Sequence, residues 1–227
     1  MTVASPQGSR ESLHSSASVE HYTPPEYVEA ARVTLGRISL DPATSHRAQT
    51  IVKANSCFTV QENGFARHWY GSIFLNPPGG LCDQNGLAVT RKSAAGPGCT
   101  ESGACGLPPG HGHVGVTSSA KAWWYKLMRE VASLNVKSAI FVGFSLEILQ
   151  TTQMVELGPD GEPLPPCLAY PIALPRKRVD YYVEKPDGSL GPEGQPTHSS
   201  FFVCVTEDPE TIDRFCKAFS KFGWVKR

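Results

Sequence analysis

The chain has 227 residues, with 21 lysines and arginines against 21 aspartates and glutamates, and seven cysteines. That length suits one domain with a good core, and a formal net charge of zero excludes a global field that would draw the protein onto nucleic acid or an acidic membrane, so any such contact is local. Irregularly spaced cysteines point to reduced thiols in a cytoplasm rather than a secreted disulfide framework, and no run of some 18 apolar residues offers a membrane span.

Residues 1–20 are rich in Ser and Gly and lack apolar periodicity, which predicts a flexible tail ahead of a single domain over 21–227. Thr23-Pro24-Pro25-Glu26 predicts a helix start, with Thr23 as N-cap and Glu26 closing a capping box. Val28, Ala31, Val33 and Leu35 make its apolar face, and Gly36 occupies the C′ place. Residues 37–40 predict a strand running into Asp41-Pro42-Ala43, and residues 44–54 a helix with Ala48, Ile51 and Val52 inward. A polar turn at Gln61-Glu62-Asn63-Gly64 leads through Phe65 and Tyr70 to the strand Ile73-Phe74-Leu75, which delivers Asn76-Pro77-Pro78. The Gly/Cys/Ser-rich tract 79–119 reads as a long loop insertion.

An amphipathic helix is predicted over 120–134, carrying Trp123, Trp124, Leu127, Met128 and Val131, and a buried strand over 137–146. Frequent prolines make residues 159–175 a loop over the sheet edge. Residues 178–183 and 200–205 read as the two strands of a long hairpin, and residues 208–222 as a closing helix. The alternation predicts an α/β sheet sandwich.

Asn76-Pro77-Pro78 carries the chemistry. A strand brings Asn76 to its carboxyl edge, where open α/β sheets bind ligands, and the prolines remove two backbone donors. The Asn76 side-chain oxygen and the Pro77 carbonyl can then both accept hydrogens from a planar amino group, such as the exocyclic amine of a base. Asp41 also follows a strand, where its carboxylate can accept from hydroxyl or amino groups of a cofactor or act as a helix N-terminal acid. Tyr22 and Thr23 stand at a helix start, which attracts anions. Cys82, Cys99, Cys105, His111 and His113 could ligate zinc but match no known finger spacing, so no metal is expected from them. Arg176-Lys177-Arg178 is a compact basic run able to contact phosphates.

Taken in order, Tyr22-Thr23-Pro24, Leu40-Asp41-Pro42-Ala43, Trp69-Tyr70-Gly71 and Leu75-Asn76-Pro77-Pro78 resemble the phage-type (Dam-like) DNA N6-adenine methyltransferase family over about residues 21–205. The resemblance implies a Rossmann-like methyltransferase sheet and transfer of a methyl group from S-adenosylmethionine to the N6 amine of adenine in DNA, after the base is flipped out. It implies that Asn76, Pro77 and Pro78 are catalytic and that Tyr22, Thr23, Pro24, Asp41, Pro42 and Ala43 bind the cofactor. It places the substrate against Gly79, Trp123, Trp124, Arg176 and Arg178, and the protein in the cytoplasm of a bacterium or phage-infected host. Related enzymes carry an aromatic residue directly after the triplet, whereas this chain has Gly79-Gly80, so the stacking ring is expected from the run Trp123-Trp124-Tyr125. Where the Rossmann pattern has a Gly-x-Gly loop after the first strand, this chain has Asp41-Pro42-Ala43-Thr44. The competing expectations are a DNA-binding or phage-accessory module that keeps the sheet without catalysis, and methylation of another amine such as cytosine N4.

Overall fold

The β-branched and aromatic runs of this chain assemble into one seven-stranded sheet, seen in a computed structural model that describes residues 20–89, 116–194 and 199–227. Residues 1–19 of the expected tail and most of the insertion lie outside the described residues.

Helix α1 (Pro25–Leu35) begins the domain, followed by β1 (Leu40–Asp41), a short α2 (Gln49–Val52), β2 (Ser56–Cys57) and β3 (Gly71–Leu75). A small antiparallel sheet of β4 (Leu81–Cys82), β5 (Ala88–Val89) and β6 (Thr117–Ser118) follows the triplet, with β4 in the middle. Then come α3 (Ser119–Ala132), β7 (Val136–Gly143), α4 (Glu147–Thr151) and β8 (Ile172–Pro175). The hairpin of β9 (Tyr182–Glu184) and β10 (Leu190–Pro192), β11 (Phe201–Val205), α5 (Pro209–Phe219) and β12 (Gly223–Lys226) complete the chain.

The sheet order is β12-β8-β11-β7-β3-β1-β2. Strands β2, β1, β3 and β7 are parallel neighbours, β11 runs against β7 and β8, and β12 runs against β8. The fold is therefore mixed α/β with a mostly parallel central sheet. Buried side chains form two cores. On one face Trp69, Leu75, Trp124, Leu127 and Phe141 pack beneath α3, and on the other Val28, Phe74, Ile140, Phe202 and Phe215 pack under α1 and α5. Successive β7 residues alternate between the cores, Ile140 and Val142 to one side and Phe141 to the other, as a strand covered on both faces requires.

Several expectations change. Helix α1 starts and ends as predicted, with Gly36 at φ +75°, but Pro24 holds the N-cap position and no side chain caps the helix. The Thr23 hydroxyl makes no capping bond, so the predicted box is absent. Of the helix predicted over residues 44–54, only Gln49–Val52 is helical, preceded by a turn at residues 46–48. The proline-rich stretch is not all loop, because Ile172–Pro175 is an interior strand between β11 and β12. The segments predicted to pair as a hairpin do not pair with one another. Strand β9 closes locally on β10, while β11 inserts between β7 and β8. The closing helix is followed by β12, which the sequence reading missed.

Candidate functional site

The order in which strands are added to the sheet reverses between β1 and β3. From β1 the chain steps outward to β2 and then returns to β1's other side as β3, so the loops leaving β1 and β3 diverge and leave a crevice at their carboxyl ends. Asp41 ends β1 and Asn76 directly follows β3, which places both expected residues at this switch point.

The turn after β1 is rigidly held. Phe58 N–H donates to the Asp41 carbonyl (3.0 Å) and Thr44 N–H to the Phe58 carbonyl (3.1 Å). Gly64 packs against Pro42 so closely that a Cβ there would stand 1.9 Å from the Pro42 oxygen. The Gly64 carbonyl in turn accepts the Trp69 indole N–H at 2.8 Å. Backbone packing thus shapes Asp41-Pro42-Ala43-Thr44 where a Rossmann loop relies on glycines. The Asp41 side chain, 2% exposed, accepts from Gln49 Nε2 (2.8 Å) and from Ala43 N–H (3.3 Å). Burial pushes its carboxyl up to about 7, against the lowering effect of bonds from Thr44, Ala43 and Gln49.

Residues 20–23 form a strap across the crevice. Tyr22 exchanges backbone hydrogen bonds with Tyr182 of β9 (2.8 and 2.9 Å), and both the Tyr22 and Ser45 hydroxyls donate to the Glu20 carboxylate (2.6 and 3.0 Å). Burial, and then the bond to Glu20, raise the Tyr22 phenol to about 12, so it stays a neutral donor. The Tyr22 hydroxyl is thus engaged by Glu20, and a second carboxylate beside it would be repelled. Thr23 remains available: it is 3% exposed beside the N-terminus of α1, and its hydroxyl has no partner in the structure.

The strap also orients Asn76. Its Nδ2 donates to the His21 carbonyl at 3.3 Å, and since a carbonyl can only accept, the amide is set with Oδ1 on the opposite side. That oxygen is buried and accepts from no protein donor. Pro77 is buried behind it, while Pro78, Gly79 and Gly80 are exposed.

The other substrate residues part company. Trp123 and Trp124 are 4% and 0% exposed. Trp123 stacks on Trp69 at 5.8 Å, and Trp124 donates to the Pro165 carbonyl, with Phe141 and Tyr170 edge-on to it. Both are core residues, as is Tyr125, whose hydroxyl bonds the carbonyls of Thr152 and Met154. Helix α3 packs a wide apolar stripe on the sheet, and Trp123, Trp124 and Tyr125 are buried in that interface. Arg176 and Arg178 are exposed and follow β8, which runs parallel to β7, so they lie along the same edge as Asn76. Three sheet steps separate β8 from β3, roughly 14 Å. Cys82 is a buried thiol of β4, the other four candidate zinc ligands lie outside the described residues, and no metal-binding cluster occurs among the described residues. No helix among the described residues is long and apolar enough to cross a membrane.

Two side chains absent from the sequence reading belong to this edge. Phe144 follows β7, and Thr151 ends α4 with a buried, unpartnered hydroxyl. Their placement depends on the pairing of β7 with β3, which no local pattern reveals.

The Thr23 hydroxyl can donate to a carboxylate and the buried Asp41 side chain can accept from ammonium or hydroxyl groups, the two kinds of partner that S-adenosylmethionine would need. Searches against protein-family models, curated proteins and solved structures return no match to this chain.

Proposed function

We propose that this protein is an S-adenosylmethionine-dependent methyltransferase acting on the exocyclic N6 amine of adenine in DNA. The observation that carries the proposal is the oriented Asn76 amide, whose buried Oδ1 faces away from the His21 carbonyl at the switch point beside Asp41. The order of the four motifs from Tyr22 to Pro78 supports it.

The amine of adenine is a poor nucleophile because its lone pair is delocalised into the ring. Asn76 Oδ1 and the Pro77 carbonyl accept its two hydrogens, which favours a pyramidal nitrogen and localises the pair for attack. Pro77 and Pro78 supply no competing N–H donors. Bound S-adenosylmethionine contributes an electrophilic methyl group. Asp41, within the turn braced by Gly64 and Phe58, would accept from its ammonium or hydroxyl groups, and Thr23 would donate to its carboxylate. Pro24, Pro42 and Ala43 shape the walls of that site, and Arg176 and Arg178 meet phosphates along the same edge.

The test is tritium transfer from labelled cofactor to unmethylated DNA by the wild-type protein and Asn76→Ala, with mass spectrometry of the digested nucleosides. N6-methyl-2′-deoxyadenosine formation that vanishes in Asn76→Ala supports the proposal, and N4-methyl-2′-deoxycytidine in its place moves the activity to the other amine. The absence of a ring at Gly79 favours a second reading, a DNA-binding module without catalysis, which predicts DNA binding with neither cofactor binding nor transfer.

A further inference from the structure

A cavity of about 140 Å³ opens beside the Asn-Pro-Pro triplet, with Gly79, Gly80, Phe144, Ile148 and Thr151 among its walls. Its volume is close to the ~150 Å³ that admits a benzene ring in an engineered protein core, enough for the six-membered ring of a purine with the rest of the nucleotide toward the mouth. That ring carries the N6 amine. A Cβ built at Gly79 or Gly80 meets no heavy atom of the described residues within 4 Å, so they leave the space next to the triplet open. Strands β3 and β7 are parallel with Leu75 opposite Phe141, and three residues further along both chains stand Pro78 and Phe144. Phe144 is half-buried: its ring packs at 5.2 Å and 44° against Tyr181, itself anchored through its hydroxyl to Ser200, and also walls the cavity. Thr151 also lines the cavity, and its hydroxyl is buried with no partner among the described residues.

We propose that Phe144 is the aromatic surface on which the acceptor base is held, in place of the ring missing at Gly79, and that the Thr151 hydroxyl hydrogen-bonds a ring nitrogen of that base. This rests on the methyltransferase reading and adds the residues that grip its substrate. The supply of the ring from β7 instead of from the triplet explains how glycine is tolerated at position 79. Thr151 matters because its hydroxyl, carried at the end of α4, can donate to an unprotonated ring nitrogen of the base.

The test uses the full chain and measures kcat and KM for DNA, cofactor affinity by calorimetry, and thermal stability. Phe144→Ala lowers kcat/KM for DNA on the order of 10- to 100-fold, the range of a lost base-stacking contact, while cofactor affinity stays within about twofold. Phe144→Tyr, which keeps the ring, recovers most of that loss, and Thr151→Val lowers kcat/KM about 10-fold. Gly79→Tyr in the Phe144→Ala background returns activity by placing a ring in the open space, which also separates stacking from any folding defect of the alanine variant. Wild-type transfer with an unaffected Phe144→Ala overturns the assignment and leaves the methyltransferase reading standing. So does a defect that neither Phe144→Tyr nor the Gly79→Tyr double variant relieves. A wild-type protein that transfers no methyl group to DNA overturns both.

Discussion

Asp41→Asn separates the burial of this carboxylate from its function. The wild-type side chain is buried in the folded protein with its carboxyl raised from 3.8 to about 7, so between those pH values the folded state binds more protons than the unfolded one. Stability then falls as pH rises through that window and is flat on either side of it. Over the full window the cost reaches about 4 kcal/mol, and between pH 5 and pH 8 it grows by about 2 to 3 kcal/mol. Asparagine carries no charge and removes this dependence, but one of the two oxygens that accept from Gln49 and Ala43 becomes a donor, which costs about 1 kcal/mol. The variant is thus close to wild type at pH 5 and more stable by about 2 to 3 kcal/mol at pH 8. Urea denaturation of both proteins at the two pH values measures this difference, and because every other titrating group is common to both, the comparison isolates Asp41. Equal pH dependence in the two proteins refutes the reasoning. Cofactor binding moves the other way: if the ionised carboxylate is the acceptor, wild-type affinity weakens about tenfold for each unit below pH 7, and Asp41→Asn shows weak, pH-independent binding.

Further outcomes follow from neighbouring contacts. Thr23→Val preserves shape and removes a buried, unpartnered hydroxyl, so the folded protein is unchanged or more stable by about 1 kcal/mol in thermal melts, while calorimetry shows cofactor affinity falling about 10-fold. Asn76→Ala abolishes methyl transfer and leaves cofactor affinity near wild type, because the side chain bonds the His21 carbonyl and its Oδ1 has no partner among the described residues. Gly64→Ala forces a Cβ to 1.9 Å from the Pro42 oxygen and 2.9 Å from the Phe58 Cβ, which costs about 2 kcal/mol or more and displaces the Asp41 turn; chemical denaturation and a loss of cofactor affinity report it together. Glu130, buried on α3, pairs with Lys126 and accepts the Trp69 N–H at 3.1 Å just before β3, so Glu130→Ala lowers stability by about 3 kcal/mol in urea titrations.

Local patterns in the sequence located the switch-point residues because each motif is contiguous: a short apolar strand, then Asp-Pro or Asn-Pro-Pro. The same locality misled elsewhere. Residues 178–183 and 200–205 both read as strands and invited pairing, yet β11 gains more by burying Phe201, Phe202 and Val203 between β7 and β8 than by closing a hairpin. Prolines at 171 and 175 masked β8, although both flank its apolar centre and leave Ala173 and Leu174 to pair with β12. The fate of Trp123 and Trp124 was present in the periodicity, since Trp123, Leu127 and Val131 form one helical row and Trp124 and Met128 the next. A stripe that wide covers a sheet face and leaves no aromatic to spare for a ligand.

The distribution of unsatisfied polar atoms separates architecture from chemistry here. Most buried polar groups of a folded chain find partners, and each one that does not costs about 1 to 3 kcal/mol. Among the described residues, five buried side-chain atoms lack partners, and three of them, Thr23 Oγ1, Asn76 Oδ1 and Thr151 Oγ1, belong to segments at the carboxyl edge of the parallel strands. Packing alone does not favour this grouping, because threonine to valine at two of these positions removes the unsatisfied group with little change of shape. The three atoms divide by chemistry as well. Thr23 offers a hydroxyl beside a helix start, suited to an anion; Asn76 offers an acceptor set by a backbone carbonyl, suited to an amine; and Thr151 offers a hydroxyl inside a cavity walled by an aromatic ring. An anion, an amine and a flat ring are the three features that a cofactor with a carboxylate and an adenine acceptor bring together. Loss of any one atom should therefore impair a different stage of the reaction: Thr23 cofactor binding, Asn76 the rate of transfer, and Thr151 the hold on the base.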